Sequence, residues 1–186
     1  MRSALLLAAV ATAAVVTGAS ADDKDKKGTK VELGGMTSTT PATWVKQKTS
    51  STSFIKRAYQ FGLPKADGDK KDAEVVIFEG LGGSWEANSG RWKGMFKAPK
   101  GKSLDDLTKE SKVKVGTAEG DMLDITGNFT GPQFDPTFKG EQENFRLIGI
   151  QVKAGDTTYH IKLHGPAKTV EKHKKDFEKW LKDFKK

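Results

Sequence analysis

Two neighbouring stretches near the end of the chain alternate apolar and polar residues with a period of two. Ile148, Ile150 and Val152 share one parity in the first stretch, and Tyr159, Ile161 and Leu163 share one in the second. That period is the mark of a half-buried strand. Ala154-Gly155-Asp156 lies between them and supplies a hairpin turn. His160 and His164, on the alternate positions, read as exposed strand histidines. Gly165-Pro166 stops the ladder, because proline has no amide hydrogen to donate. The period then changes. Val170, Phe177, Trp180, Leu181 and Phe184 form one helical stripe, with Thr169 as its expected N-cap. Lys172, Lys174, Lys175, Lys179 and Lys182 fall on the other faces of this helix, which read as solvated.

The earlier chain gives shorter signals. Val31 to Met36 reads as a first strand. Trp44–Lys48 and Phe54–Phe61 read as two more, separated by the polar turn Thr49–Ser53. Turning Ile55, Tyr59 and Phe61 inward puts Arg57 among them, so the register there stays open. Glu74–Glu79 is a continuous apolar run, suited to a central strand covered on both faces. Gly80–Gly83 is a bend, and Ser84 is the expected N-cap of a helix running to near Pro99. Trp85, Trp92 and Phe96 form its stripe. Leu104 and Leu107 suggest another helical turn. Ser111–Val115 and Asp121–Phe129 read as a second hairpin around Gly116–Gly120. Gly131–Asn144 is too long and too apolar for a plain solvated loop. Six or seven strands joined by short turns predict an α+β fold. Its mainly antiparallel, twisted sheet is covered by a mid-chain helix and a C-terminal amphipathic helix, an α/β/α sandwich forming one domain over residues 31–186.

The N-terminus is expected to lie outside that domain. Arg2, the apolar run Ala4–Val16 and Ala19-Ser20-Ala21 make residues 1–21 a signal peptide, with cleavage after Ala21. The run is too short for a comfortable membrane span. Residues 22–30 have no apolar side chain and read as a disordered charged leader. The expected compartment is periplasmic or extracellular. The chain has no cysteine, which removes disulfides, thiol catalysis and cysteine-ligated metals. Its net charge of +8 becomes +7 without residues 1–21, with 31 bases against 24 acids. An exported basic protein more readily meets an acidic protein or an anionic envelope component than nucleic acid. Solubility accounts for the same lysines, since acids are interleaved with them.

Chemistry is sparse in the sequence. There is no G-x-S-x-G elbow, and Ser84 is placed to cap a helix rather than to attack. No Lys-Ser or Lys-Thr follows the glycine bend, as a nucleotide loop requires. His160 and His164 stand four residues apart, about 13 Å along a strand, too far to share a metal ion. Asp105-Asp106 and Asp121 with Asp124 carry no acid/base signature. No catalytic, cofactor or metal set is therefore predicted. Four residues are singled out as possible ligand or partner contacts. Asn88 and Arg91 neighbour each other on a helix flank; Phe134 and Phe138 either line a pocket or plug the end of the sandwich. Two functions stay open. One is a non-catalytic binding or envelope-accessory protein. The other is an exported enzyme or small-ligand carrier with a cleft between the 131–144 loop and the 84–97 helix.

Three motifs carry a resemblance: Pro41-x-x-Trp44, Asn88-x-x-Arg91-Trp92-x-x-x-Phe96, and Lys162-Leu163-x-Gly165-Pro166-x-x-Thr169-Val170. Together they resemble a group of small exported bacterial proteins of unknown function, common in planctomycetes. The layout also resembles the Mog1/PsbP-like fold, an antiparallel sheet between helices. That resemblance implies an assembly or accessory role and no catalytic residue.

Overall fold

The structure, a computed structural model, describes residues 27–49, 56–131 and 140–186. The expected signal peptide, most of the leader, Ile55, Phe134 and Phe138 lie outside the described residues. The elements in order are β1 (Lys30–Leu33), β2 (Met36–Thr39), β3 (Val45–Lys46), β4 (Lys56–Leu63), β5 (Ala73–Glu79), α1 (Trp85–Lys93), β6 (Phe96–Lys97), β7 (Thr108–Val115), β8 (Ala118–Phe129), β9 (Gln142–Ala154), β10 (Thr157–Pro166) and α2 (Ala167–Lys182). A 3-10 turn at Asp105–Leu107 supplies the helical turn expected around Leu104 and Leu107. Eight strands form one antiparallel sheet in the order β3-β4-β5-β10-β9-β8-β6, with β7 also pairing β8. The α+β architecture is the one the sequence predicts.

The first predicted strand is in fact a hairpin. Gly34 and Gly35 take φ of 55° and 81°, which only glycine adopts cheaply, and they reverse the chain between β1 and β2. The residues expected to close the leader already pair here, with Thr29 N donating to Thr40 Oγ1 at 2.9 Å. This hairpin clasps the far end of the chain. Thr37 N donates to Lys185 O at 2.7 Å, and Lys185 N returns a bond to Thr37 O at 3.0 Å.

One face of the sheet carries Ile148, Ile150, Val152, Ile161, Leu163, Val75 and Ile77, and α2 lies across it. Val170, Phe177, Trp180, Leu181 and Phe184 are all buried against this face, each contributing about 1.5–3 kcal/mol before entropy is subtracted. Trp44 joins them, with ring centroids 5.3 Å from Trp180 and 6.4 Å from Phe177. The cap of α2 differs from expectation. β10 runs straight into the helix at Pro166, whose φ of −54° already suits a helix entry. Thr169 therefore sits inside the first turn. A carboxylate from a distant loop takes the capping role instead: Asp69 Oδ2 accepts Thr169 N at 3.0 Å and Thr169 Oγ1 at 2.6 Å.

α1 covers part of the opposite face. Ser84 Oγ accepts the Ala87 amide at 3.3 Å, so this residue caps as the sequence predicts. The helix ends at Lys93, not near Pro99. Gly90 and Gly94 each weaken helix continuation by about 1 kcal/mol relative to alanine. Beyond them the backbone finds better partners in β8, where Phe96 pairs with Phe129 and Lys97 with Asn128. Phe96 still reaches the same core as Trp92, together with Leu123, Ile125, Phe145 and Leu147. Trp92 lies directly on Gly149 of β9; a Cβ there would stand 2.6 Å from the ring. The open register around Arg57 is resolved by a β-bulge between Arg57 and Tyr59. The bulge sends Tyr59 to the α2 face and Arg57 to the α1 face, where it lies 5.7 Å from the centre of the Phe78 ring.

Candidate functional site

α1 is short, nine residues, and it docks over β8 and β9. The rest of that sheet face, over β10, β5 and β4, is left partly open. There a cleft of about 180 Å³ forms. Its floor is Val76 and Phe78 of β5. One wall is apolar: Met95, Phe129, Phe145 and Leu147. The other is polar: Arg57, Glu74, Lys162 and His164.

The register explains why these polar groups converge. Along β10, His160, Lys162 and His164 all point to the α1 face. Lys162 pairs with Val76 on one side and with Gly149 on the other. Trp92 rests on Gly149, so its ring reaches over the Lys162 side chain. The Lys162 ammonium lies 4.9 Å from the Trp92 ring centre and 5.4 Å from that of Phe78. Two such cation–π contacts stabilise the charge modestly, about 0.5–2 kcal/mol each. Among the described residues no hydrogen bond or ion pair reaches it. Burial, followed by the positive charges of Arg91 and Arg57, pushes Lys162 down to about 8. At neutral pH it is still largely an ammonium, half-buried and without an ion pair among the described residues.

The histidines are not the exposed strand residues that alternation predicts, because α1 lies over this face. His160 is buried, with its ring edge-on to Trp92 at 5.5 Å. Its Nε2 is 3.2 Å from Gln151 Oε1, and its Nδ1 is buried with no partner. Burial, then Lys162 and Arg91, pushes it down to about 4. His164 sits at the cleft edge, its side chain 29% exposed, with Nε2 3.9 Å from Glu74 Oε2. Burial, then Lys162 and Arg57, pushes it down to about 4 as well. Both rings are neutral at pH 7, so Glu74 faces a neutral imidazole rather than a cation.

These two groups give the folded chain a pH dependence of known sign. Unfolded histidine titrates near 6.5, well above the folded values. As pH falls through 6.5 the unfolded state takes up protons first, so stability present at neutral pH is lost progressively down to about 4. The slope is at most about 1.4 kcal/mol per pH unit for each ring. Urea midpoints measured from pH 7 to pH 4 should fall accordingly. His164→Gln should make that slope shallower, and an unchanged slope would remove His164 from the account.

The residues singled out from the sequence lie beside the cleft, not in it. Asn88 is buried. Its Nδ2 lies 3.1 Å from Ser84 O, 3.3 Å from Gly82 O and 2.9 Å from Gln151 Oε1. It ties α1 to the preceding bend and to β9. Arg91 is exposed and donates to Asn88 Oδ1 at 2.5 Å. Its contribution to the cleft is electrostatic, through Lys162 and His160. Phe134 and Phe138 are outside the described residues; Phe129 and Phe145, which flank that segment, do line the cleft. Sequence reading passed over Lys162, His164, Glu74 and Arg57 as a group. The signal was present in the second helical stripe. A helix bearing Trp85, Trp92 and Phe96 must cover the sheet face opposite α2, and the polar positions of β10 belong to that face.

Among the described residues no three His, Asp or Glu side chains converge as metal ligands, and no helix is long and apolar enough to cross a membrane. What the cleft offers chemically is a poorly solvated ammonium, with the Arg57 guanidinium and Glu74 beside it, facing an apolar wall. That arrangement favours an anionic group attached to an apolar body.

Neither the family models nor the curated proteins give a match to this chain. Among solved structures, one from Pseudomonas aeruginosa, of a protein of unknown function, superposes with a TM-score of 0.44. It is 14% identical, over 83% of this chain and 94% of that one.

Proposed function

We propose that this chain is an exported, non-catalytic binding protein that holds a small amphipathic anion in the cleft beside α1. Export rests on the signal-peptide pattern of residues 1–21. The single observation that carries the binding reading is Lys162. Its ammonium lies close to two aromatic rings in a cleft, and among the described residues no carboxylate forms an ion pair with it. A partly buried charge without an ion-pair partner is costly, and a bound anion would offset that cost. Among the described residues that line the cleft there is no hydroxyl or thiol side chain, and the reading is therefore one of binding. On this reading the site lies on the sheet face that α1 leaves open, rather than at Asn88 and Arg91.

The test uses the chain from Asp22 onward and a panel of small acids: hexanoate, decanoate, 3-phenylpropionate and hexyl phosphate. At least one should raise the melting temperature saturably and perturb tryptophan fluorescence, since Trp92 touches the Lys162 ammonium. The effect should disappear in Lys162→Met. Equal responses in the parent and in Lys162→Met would overturn the reading, as would no response to any acid.

A further inference from the structure

Resting on that reading, we infer that the cleft selects a monocarboxylate with a ring-sized hydrocarbon body, and discriminates against phosphate esters and dianions. Three features of the cleft set this preference.

The first is the geometry at the cation. An ammonium has three N–H donors. The Trp92 and Phe78 rings occupy two sides of the Lys162 ammonium, at 4.9 and 5.4 Å. A ligand therefore shares this cation with two rings, which suits the single-point contact of one carboxylate oxygen. A phosphate group carries three acceptor oxygens and is best held by several donors together, such as backbone amides or a forked guanidinium. The sheet floor offers no free amide, because those of β5 and β10 are spent on the ladder, and the Arg57 guanidinium on the wall already donates to Gln60 Oε1 at 3.3 Å and lies over the Phe78 ring.

The second is the charge balance. Glu74 lines the same cleft, and the neighbouring His164 is neutral at pH 7. Lys162 and Arg57 bring two positive charges to the lining and Glu74 one negative, a balance of +1. A monoanion neutralises that balance; a dianion overshoots it and meets the Glu74 charge.

The third is the size and lining of the apolar wall. Met95, Phe129, Phe145 and Leu147 present no polar side-chain atom apart from a thioether sulfur. The volume of about 180 Å³ is close to that of an apolar cavity of about 150 Å³ that accommodates benzene. One phenyl ring or a short chain fills it, and anything longer must leave through the mouth.

The test is calorimetric titration of the chain from Asp22 onward, at pH 7, with four compounds sharing one body. These are 3-phenylpropionate, 3-phenylpropionamide, phenethyl phosphate and phenylsuccinate; acetate serves as the head without the body. The carboxylate should bind most tightly, with the amide, the phosphate ester and the dicarboxylate each weaker by about tenfold or more, as loss of one charge-assisted contact implies. Acetate should not bind measurably. If phenethyl phosphate or phenylsuccinate binds as tightly as 3-phenylpropionate, and Lys162→Met abolishes both, the selectivity is overturned while the cleft reading stands. If all compounds bind the parent and Lys162→Met alike, or none binds, the cleft reading itself falls.

Discussion

Lys162→Met is expected to make the unliganded protein more stable while abolishing anion binding. The native side chain carries a charge into a half-buried site beside Trp92 and Phe78, and among the described residues no carboxylate pairs with it. Its ionisation is pushed down from the ordinary lysine value near 10.5 to about 8. Below pH 8 both the folded and the unfolded chain are protonated, so the cost of burying the charge is fully present at neutral pH. Above pH 8 the folded chain releases the proton while the unfolded chain keeps it. Stability then rises until about pH 10.5. Methionine keeps the length and the contacts of the alkyl stem and removes the charge. Allowing for partial hydration at the cleft mouth, the gain should be on the order of 1–3 kcal/mol at pH 7. In a domain of this size that corresponds to a rise in melting temperature of roughly 3–10 °C. The variant should also lose the rise in stability between pH 8 and 10.5. A residue whose removal stabilises the fold and silences the ligand response is held there for binding. A fall in melting temperature would instead mean that the two ring contacts outweigh the desolvation, and Lys162 would be structural.

The parts of the fold that one element decides by itself were legible from sequence. The alternation in β9 and β10 and the stripe of α2 each place five or so apolar side chains on one face, and both folded as the pattern predicts. The continuous run of β5 signalled cover on both faces; α2 covers one, and on the other Val76 and Phe78 line the cleft, with Phe78 only half-buried. What escaped were features settled between elements. Thr169 looks like a cap because its residue type prefers that position, yet Asp69, one hundred residues earlier in the chain, supplies the capping oxygen. Phe96 fits the helical register of Trp92 and Trp85, but the glycines at 90 and 94 let strand pairing with Phe129 win. Arg57 made its strand unreadable because one bulged residue changes which parity faces the α2 core. The cleft escaped for the same reason. In a half-buried strand Lys162 is an ordinary solvent-side lysine. It becomes a site only because Trp92 crosses two strands to reach it, and the length of α1 decides how much of the face stays open.

Trp92→Ala should be among the most damaging single substitutions in the chain, because one ring holds α1 down, fills the second core and lies against the Lys162 ammonium. The side chain is fully buried. Truncating a tryptophan of this kind costs about 3–5 kcal/mol, made up of lost transfer energy and the cavity left behind. The matching position is Gly149, whose hydrogen faces the Trp92 ring. A methyl group there would come within 2.6 Å of Cε3 and 2.7 Å of Cζ3. Neither the β9 backbone, paired on both sides, nor a large buried ring can yield easily. Gly149→Ala should therefore cost about 1–3 kcal/mol in the parent chain by overpacking. The two effects share one contact, so they should not add. In the Trp92→Ala background the new methyl group enters the vacated space, and Gly149→Ala should become nearly neutral or even recover some stability. Urea denaturation of the two single variants and the double variant measures that coupling, expected at about 1–3 kcal/mol. The cleft gives an independent readout. Gly149→Ala shifts the ring that screens Lys162, so the response to 3-phenylpropionate should weaken even under conditions where the variant is fully folded. Strict additivity of the two substitutions would show that Trp92 does not rest on Gly149, and the account of why Lys162 is buried would fail with it.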